Sequence, residues 1–398
     1  VCTISGFGSF GPYCEFKSSD LVASAMSGAM AVIGFADDPP VRLAGSQSYV
    51  VASNLAAIGS LIAVHYRRRS GRGQRVDISL QEAMLSVSSI CGVGKWLEDG
   101  IVPRRFGTGL FAAVPSGLYN CRDGGIYLII NRPLHWQVLA RWVNEVTGNV
   151  EILDAMFEGS SSTRQPYREL LDIYINELTA NYSVDAFYRE GQRRHLAVTP
   201  VHNARSLVAD PHLQARHFFV PVEHPGRGVL RYPGAPCRLS RTPWRILAPA
   251  PLLGEHDTQS AALLERWGKQ SEQAPTASAN CSSKLPHFGQ VQALSGLRVV
   301  EFTAGMAGPW IGRYLAWCGA EVIKVESRDY PDVTRLYVPP REPELGVQPQ
   351  LSPWFTDWNA GKRFVALDLR QPEGASLARR LVAQCDIVID NNANGVLD

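Results

Sequence analysis

Gly305 and Gly308 follow an apolar stretch, Leu297–Thr303, and Glu326 closes the next one. A loop between strand and helix could turn its backbone N–H groups toward phosphate oxygens. A dinucleotide fingerprint needs Gly-x-Gly-x-x-Gly, with three glycines serving the turn, the pyrophosphate approach and the helix packing. Only two stand at the required spacing, so the loop reads as a tight strand-to-helix turn. The run Arg67-Arg68-Arg69 with Arg72 and Arg75 is the densest basic patch. It could meet phosphate, but Tyr66 alone offers an aromatic platform, and a solvated helix end is the better reading.

Metal and nucleophile patterns are missing. The nine histidines form no His-Glu-x-x-His motif and no His/Cys cluster, and His65 reads as a packed or surface residue of its helix. The eight cysteines, at 2, 14, 91, 121, 237, 281, 318 and 385, include no Cys-x-x-Cys pair. That spacing suits neither zinc nor a dense disulfide framework, so reduced thiols in a cytoplasmic protein are expected, with no metal. Acidic residues are scattered, and spacing alone nominates no carboxylate pair.

These residues must be positioned by a chain of 398 residues, enough for two to three domains at roughly 150 each. Hydrophobic residues at 45% against 19% charged supply a core and exclude a disordered or collagen-like chain. Lys+Arg 39 against Asp+Glu 37 leaves +2, too balanced for an electrostatic nucleic-acid partner. No run of 18 apolar residues appears, so no membrane partner is expected. The chain opens Val1-Cys2-Thr3-Ile4, without Met or leader, and reads as cut from something longer.

Val1–Ser5 predicts a strand running into a Gly-rich turn. Leu21–Met30, Val50–Tyr66 and Gln81–Ile90 predict helices, with a strand at Arg75–Leu80. Beyond residue 115, Gly124–Ile130 predicts a strand behind an Asp-Gly turn. Helices are expected over Leu134–Glu145, Tyr167–Leu178 and Val184–Glu190. Residues 269–292 have the composition of a linker. In the last third, strands at Leu297–Thr303, Glu321–Glu326, Arg363–Asp368 and Cys385–Asp390 alternate with helices at Trp310–Cys318 and Glu373–Gln384. Pro309 is expected at the first helical position. Such alternation predicts an α/β fold with a doubly wound parallel sheet.

The last third resembles the amino-terminal part of the class III CoA-transferases, the formyl-CoA transferase and carnitine CoA-transferase type. The likeness rests on Leu294-Ser-Gly-Leu-Arg-Val-Val, Ala307-Gly308-Pro309, Gly319-Ala-Glu-Val-Ile-Lys-Val-Glu326, Asn359-Ala-Gly-Lys-Arg363, Ala366-Leu-Asp-Leu369, Glu373-Gly374 and Asn391-x-x-x-Gly395-Val-Leu397. The first 265 residues resemble the rest of the family. The matching runs include Ile4-Ser-Gly-Phe-Gly8, Ala25-Met-Ser-Gly28, Pro39-Pro-Val-Arg42, Ser70-Gly-Arg-Gly-Gln74, Asp210-Pro211 and Leu253-Gly254-Glu-His256. The two parts stand in reversed order. A stretch of a tandem fusion or a circular permutation fits, and the fusion is favoured by how the chain opens and closes.

The resemblance implies a Rossmann-like large domain with a smaller α+β domain, in an interlocked dimer or fused pseudo-dimer. Residues 1–115 would be the large-domain part of a first copy, 116–225 its small domain and 226–268 the return to the large domain. After the linker at 269–292, residues 293–398 would open a second copy. It also implies transfer of coenzyme A, a substrate here, from an acyl-CoA to a carboxylic acid through an aspartyl anhydride and an aspartyl-CoA thioester. The family's nucleophilic Asp aligns with Tyr49, which cannot form that anhydride. The related racemases use a His, near Ser19 here, and an Asp, again at Tyr49. A first copy silent in both chemistries is expected, with the second copy's nucleophile beyond Asp398. CoA contacts carry over to Met306 and Ala307; to Ser327 or Arg328; to Leu367, Asp368, Leu369 and Arg370; and to Asn391, Asn392 and Ala393. Ser5, Gly6, Phe7 and Gly8 match a pantetheine-side loop. Asn392 and Ala393 replace the family's usual aromatic and Arg.

Overall fold

The opening segment runs β1 (Cys2–Ser5), α1 (Asp20–Met26), α2 (Gln47–Ser70), β2 (Val76–Ser79), α3 (Leu80–Ser88) and α4 (Val93–Asp99). The structure is a computed structural model that describes residues 1–88, 93–110, 113–159, 161–271, 292–336 and 352–397. Two units form: Val1–Gly107 with Thr276–Asp398, and Thr108–Pro275. Most of the expected linker, residues 272–291, lies outside the described residues.

In the first unit β1 and β2 pair in parallel, Cys2 opposite Val76 and Ser5 opposite Ser79. The helix expected over Leu21–Met30 is broken. After α1 ends at Met26, Gly28 adopts φ 79° and a 3-10 turn, Ala29–Val32, follows. A left-handed residue stops an α-helix, and Gly takes that conformation without a Cβ clash. α2 overruns its predicted span at both ends and stops at Gly71, φ 73°, behind Arg67, Arg68 and Arg69. A window of α2 has mean hydropathy 1.4, so by length and composition this helix could cross a membrane, which the search for unbroken apolar runs missed. Its buried Ala52 packs in a small cluster with Ala23, Leu80 and Ala83, while Ile58, Leu61 and Val64 stay exposed.

The second unit holds β3 (Ser116–Cys121), β4 (Gly124–Ile129), α5 (Pro133–Thr147), α6 (Arg168–Thr179), α7 (Val184–Arg193) and β5 (Ala197–Pro200). β3, β4 and β5 form an antiparallel sheet. Its core includes Ile126, Leu128, Trp136, Trp142, Ile175 and Phe187. Trp142 stacks on Phe187 at 4.6 Å and donates to the Tyr182 hydroxyl at 3.0 Å. α8 (Ala204–Val208), α9 (Pro211–Ala215), a hairpin of β6 (Phe219–His224) and β7 (Gly228–Pro233), and α10 (Ser260–Ser271) follow. Residues 226–268, expected to return to the large domain, group with this unit.

The closing segment runs β8 (Arg298–Phe302), α11 (Ala307–Trp317), β9 (Glu321–Glu326), α12 (Pro353–Asn359), β10 (Arg363–Ala366), α13 (Pro372–Val382) and β11 (Ile387–Asp390). All four strands are parallel, in the order β10-β9-β8-β11. Side chains alternate across the sheet as the strand period requires. Val299, Val322 and Ile389 pack with Leu315 and Ala316 of α11, and with Ile62 of α2. Val300, Phe302 and Val325 face the other way, onto Ala378 and Leu381 of α13. The sheet is therefore covered on both faces, which is why its strands read as continuous apolar runs. α11 begins at Ala307, so Pro309 is not its first residue. Pro309 still lies in the first turn, where no intrahelical N–H bond is needed.

Two charges interrupt those apolar strands. Glu301 of β8 stands in register with Lys324 of β9, and both side chains are fully buried. Lys324 Nζ is 3.6 Å from Glu301 Oε1 and 3.0 Å from Asp332 Oδ2. Lys362 Nζ is 2.8 Å from Glu301 Oε1 and donates to Pro309 O at 2.7 Å and to Asn359 Oδ1 at 3.0 Å. Two cations and two anions thus cancel between sheet and α11. The helix can come this close only through its glycines. A Cβ on Gly312 would lie 1.8 Å from Glu301 Oε2, and one on Gly308 would lie 2.5 Å from Thr303 Cγ2.

Two outcomes follow from this packing. Gly312→Ala must push α11 off β8 and should lower the unit's stability by about 1–3 kcal/mol in denaturant titrations. Burial, partly offset by Glu301, pushes Lys362 down to about 8, against an ordinary value of 10.5. Between those values the unfolded chain holds a proton that the folded chain has released, so this residue's contribution to stability rises with pH there. Titrations from pH 7 to 10 should find the wild type gaining on Lys362→Met across that window.

Candidate functional site

Because the four strands of the closing sheet run the same way, their carboxyl ends share one rim. β9 and β10 are added on one side of β8 and β11 on the other. The strand order thus switches direction between β8 and β11, and the crevice at such a switch point is the usual ligand position in an open parallel sheet. Asn391 spans that crevice at its floor. Its Oδ1 accepts from Ala304 N at 3.0 Å and its Nδ2 donates to Ala304 O at 2.8 Å. Asn392 Nδ2 donates to Phe302 O at 2.9 Å and to Asp390 Oδ1 at 2.8 Å. Gly308 is needed here as well, since a Cβ would lie 2.9 Å from the Asn391 side chain.

Met306, just before α11, is half exposed above this floor, and Ala307 and Ala393 are exposed. Arg328, beyond β9, is exposed and carries no ion pair or hydrogen bond with a described residue. Ser327 accepts from Asp329 N at 3.3 Å. The loop after β10 is less open to a ligand. Leu367 packs against the Val300 and Phe302 cluster, so its side chain belongs to the core. Asp368 accepts from Arg370 Nε at 2.9 Å, and those bonds hold its carboxyl below the usual range. Arg370 also pairs with Asp329 and lies 5.1 Å over the Tyr330 ring. Its guanidinium, which the family resemblance placed among the CoA contacts, is thus engaged by two carboxylates. Leu369 is partly exposed beside it.

Ser5, Gly6, Phe7 and Gly8 form a second cluster, and no hydrogen bond joins it to the crevice among the described residues. Gly6 O accepts from Gln81 N at 3.2 Å, and Ser9 donates twice to Asp77, at 2.9 and 2.7 Å. Burial works to raise Asp77, but the bonds from Ser9 and Thr3, with Arg75 nearby, hold it below the carboxylate range. Ser5 Oγ is buried without a described partner. Gly6 lies against Ser18, at the loop that leads into α1.

Tyr49 reaches that same loop. Its hydroxyl accepts from Asp20 N at 3.1 Å. Asp20 Oδ1 accepts in turn from Ser48 N at 2.9 Å and Ser48 Oγ at 2.8 Å. Ser19 is the N-cap of α1, its Oγ accepting from Val22 N at 3.4 Å. Ser19 and Tyr49, 30 positions apart in sequence, are therefore brought together, and both serve orphan N–H groups at the start of α1. Neither is arranged as a nucleophile with a base beside it. An open cleft of about 720 Å³ lined by Arg216, Phe218, Arg238 and Trp244 belongs to the other unit and holds none of these residues.

Residues 1–257 and 294–398 match the family described as CoA-transferase family III. The chain belongs to that family. Among relatives, succinyl-CoA–D-citramalate CoA-transferase of Chloroflexus aurantiacus is 30% identical over 257 residues, covering 64% of this chain and 63% of that protein. The chain thus spans less than two thirds of that relative's length. A probable CoA-transferase of Mycobacterium tuberculosis is 27% identical over 409 residues, taking in 99% of this chain and 47% of that protein. Among solved structures, a CAIB/BAIF family protein from Brucella suis matches in fold with TM-score 0.57 and 23% identity, over 66% of this chain and 67% of that one.

Within this family III chain, motif reading missed the side chains that hold the crevice from below, Lys324 and Asp332. For Lys324 alone a partial signal was available, since it and Glu301 are charges inside apolar strands, where a charge survives only if paired. Asn391→Ala removes both bonds to Ala304 and should cost about 1–3 kcal/mol of unfolding free energy if the freed groups stay dry. Tyr49→Phe gives up one partly exposed acceptor and should cost about 0.5 kcal/mol. Denaturant midpoints at unchanged slope would check both.

Proposed function

We propose that this chain is the CoA-binding stretch of a class III CoA-transferase, its Rossmann-like sheet holding coenzyme A in the crevice between β8 and β11. The carrying observation is the coincidence of two independent lines. The switch point is where an open parallel sheet takes ligands, and the residues to which the family resemblance carries CoA contacts, Met306, Ala307, Asn391 and Asn392, follow the two strands that flank it, β8 and β11. The N–H groups that open α11 face no helical partner, and α11 is long enough for its dipole to favour an anion there. Arg328, without a partner among the described residues, would take a phosphate at the same rim by charge-assisted hydrogen bonds.

The reaction we propose for the whole protein exchanges CoA between an acyl-CoA and a carboxylic acid. An Asp carboxylate attacks the thioester carbonyl, the C–S bond breaks, and CoA leaves as thiolate with a mixed anhydride formed. The thiolate then attacks the aspartyl carbonyl and releases the first acid, and the acceptor carboxylate reverses both steps. The family likeness supports this route; Tyr49 and Ser19, both used as cap acceptors, argue that the nucleophile is not in residues 1–107. The continuous match of 99% of the chain to about half of the Mycobacterium tuberculosis protein supports a tandem arrangement. We accordingly propose a second family copy as partner, in a fused pseudo-dimer or interlocked dimer, with a cytoplasmic location and no metal.

The 398-residue chain should bind CoA in calorimetry, and Arg328→Gln should weaken binding by about tenfold. It should not exchange labelled CoA between acids. Exchange by this chain alone would refute a nucleophile outside it. Sequencing the gene past Asp398 should find a Gly-Asp pair ahead of a Gly-x-Gly-Gln turn, and a stop codon there would count against the fusion.

A further inference from the structure

The turn that lines the crevice has an unusual property: four consecutive polar groups of its backbone are each held by a side chain. Thr303 O accepts from Lys324 Nζ at 2.6 Å. Ala304 N and O are both bonded to Asn391. Gly305 N donates to Asp332 Oδ1 at 3.0 Å. The three holders come from β9, from the loop after it and from the residue after β11. Gly305 sits at φ 73°, so this turn has a conformation that only a residue without Cβ takes readily.

Lys324 and Asp332 are the two deepest of the holders. Lys324 is fully buried, and it also reaches Thr303 Oγ1 at 3.2 Å. Asp332 is 1% exposed, with Oδ1 further bonded to Thr334 N at 3.0 Å and Thr334 Oγ1 at 2.8 Å. Their mutual contact, Nζ to Oδ2 at 3.0 Å, joins the two ends of the turn through one ion pair. A buried ion pair is a poor way to gain stability, because desolvation cancels most of the attraction and apolar replacements of similar volume do as well or better. What apolar replacements could not do is grip a carbonyl at one end of a turn and an N–H at the other.

We infer that Lys324 and Asp332 are a positioning pair that sets the Thr303–Met306 turn in its CoA-receiving form before the ligand arrives. The inference rests on the crevice being the CoA site. With the turn held, no backbone freedom is lost on binding, and affinity is gained through that saving and not through a contact. Neither side chain touches the ligand.

The test compares the full chain with the double variant Lys324→Met/Asp332→Leu, which removes both charges together. Thermal and denaturant unfolding should find it folded but somewhat less stable, because Thr303 O, Gly305 N and Thr334 N lose their side-chain partners. CoA binding by calorimetry should fall about tenfold or more, as displaced binding groups do. In amide exchange, Gly305 N–H should lose its protection while the core of β8 keeps it. Equal CoA affinity in the folded double variant would overturn the inference. If the double variant does not fold, Asp332→Asn decides, since it keeps an acceptor for Gly305 but breaks the ion pair. Its CoA affinity should fall severalfold, and an unchanged value would overturn the inference. A wild-type chain that binds no CoA would instead take down the reading of the crevice itself, and this inference with it.

Discussion

Four ionisable side chains taken out of water govern the closing half of this chain. Glu301, Lys324, Asp332 and Lys362 would each carry a penalty of several kcal/mol if left alone at that depth. Together they are neutral, and every strand that contributes must sit where the sum closes. Glu301 fixes the register of β8 on β9, because a slip of one residue would turn it to the α13 face, among Val300 and Phe302. Lys362 ties the start of β10 to Pro309 O and so to α11. The glycines of α11 follow from this closeness: a helix lying against Glu301 has no room for a Cβ at 312, nor, against Thr303, for one at 308.

From that constraint the crevice takes its form. With α11 pressed down, the turn before it is short, Gly305 must go left-handed, and Asn391 finds the Ala304 backbone within reach. The side-chain amide of Asn391 continues the parallel ladder where the strands part, two bonds wide. An opening bounded this way is rigid at its floor and open at its lip, where Met306 and Arg328 face solvent. The β1 loop and Tyr49 form a different kind of site, one in which Ser19 and Tyr49 serve as caps at the start of α1. A phenol can accept from Asp20 N as a cap does, and that local use needs no substrate.

Much of the closing sheet was legible because its strands are buried on both faces and read as unbroken apolar runs between Gly, Pro and Asn. α2 was legible by period, with its end marked by three arginines and Gly71. The end of α1 was not, since small residues continue helical spacing through Gly28 and only the backbone angle there breaks it. Motif alignment put Leu367 and Arg370 among ligand contacts. Alignment cannot say which face of β10 a side chain leaves from, and Leu367 leaves toward the core. Nor can it foresee that Asp329, 41 residues away, would capture Arg370. The holders Lys324 and Asp332 were hidden for a related reason: their roles are set by backbone groups that a sequence does not display.

One feature of the first unit bears on how the chain is made. Ile62 packs with Val299 and Ile389, and the Arg69 guanidinium donates to Ser295 O, across 226 positions of sequence. The residues that cover this side of α2 are therefore translated only after the whole second unit has been made. At ordinary elongation rates α2 waits roughly 10–65 s on the ribosome with Ile62 unpaired. During that interval the second unit can complete its own antiparallel sheet, while a 24-residue apolar helix stays open to chaperones and to its neighbours on the polysome.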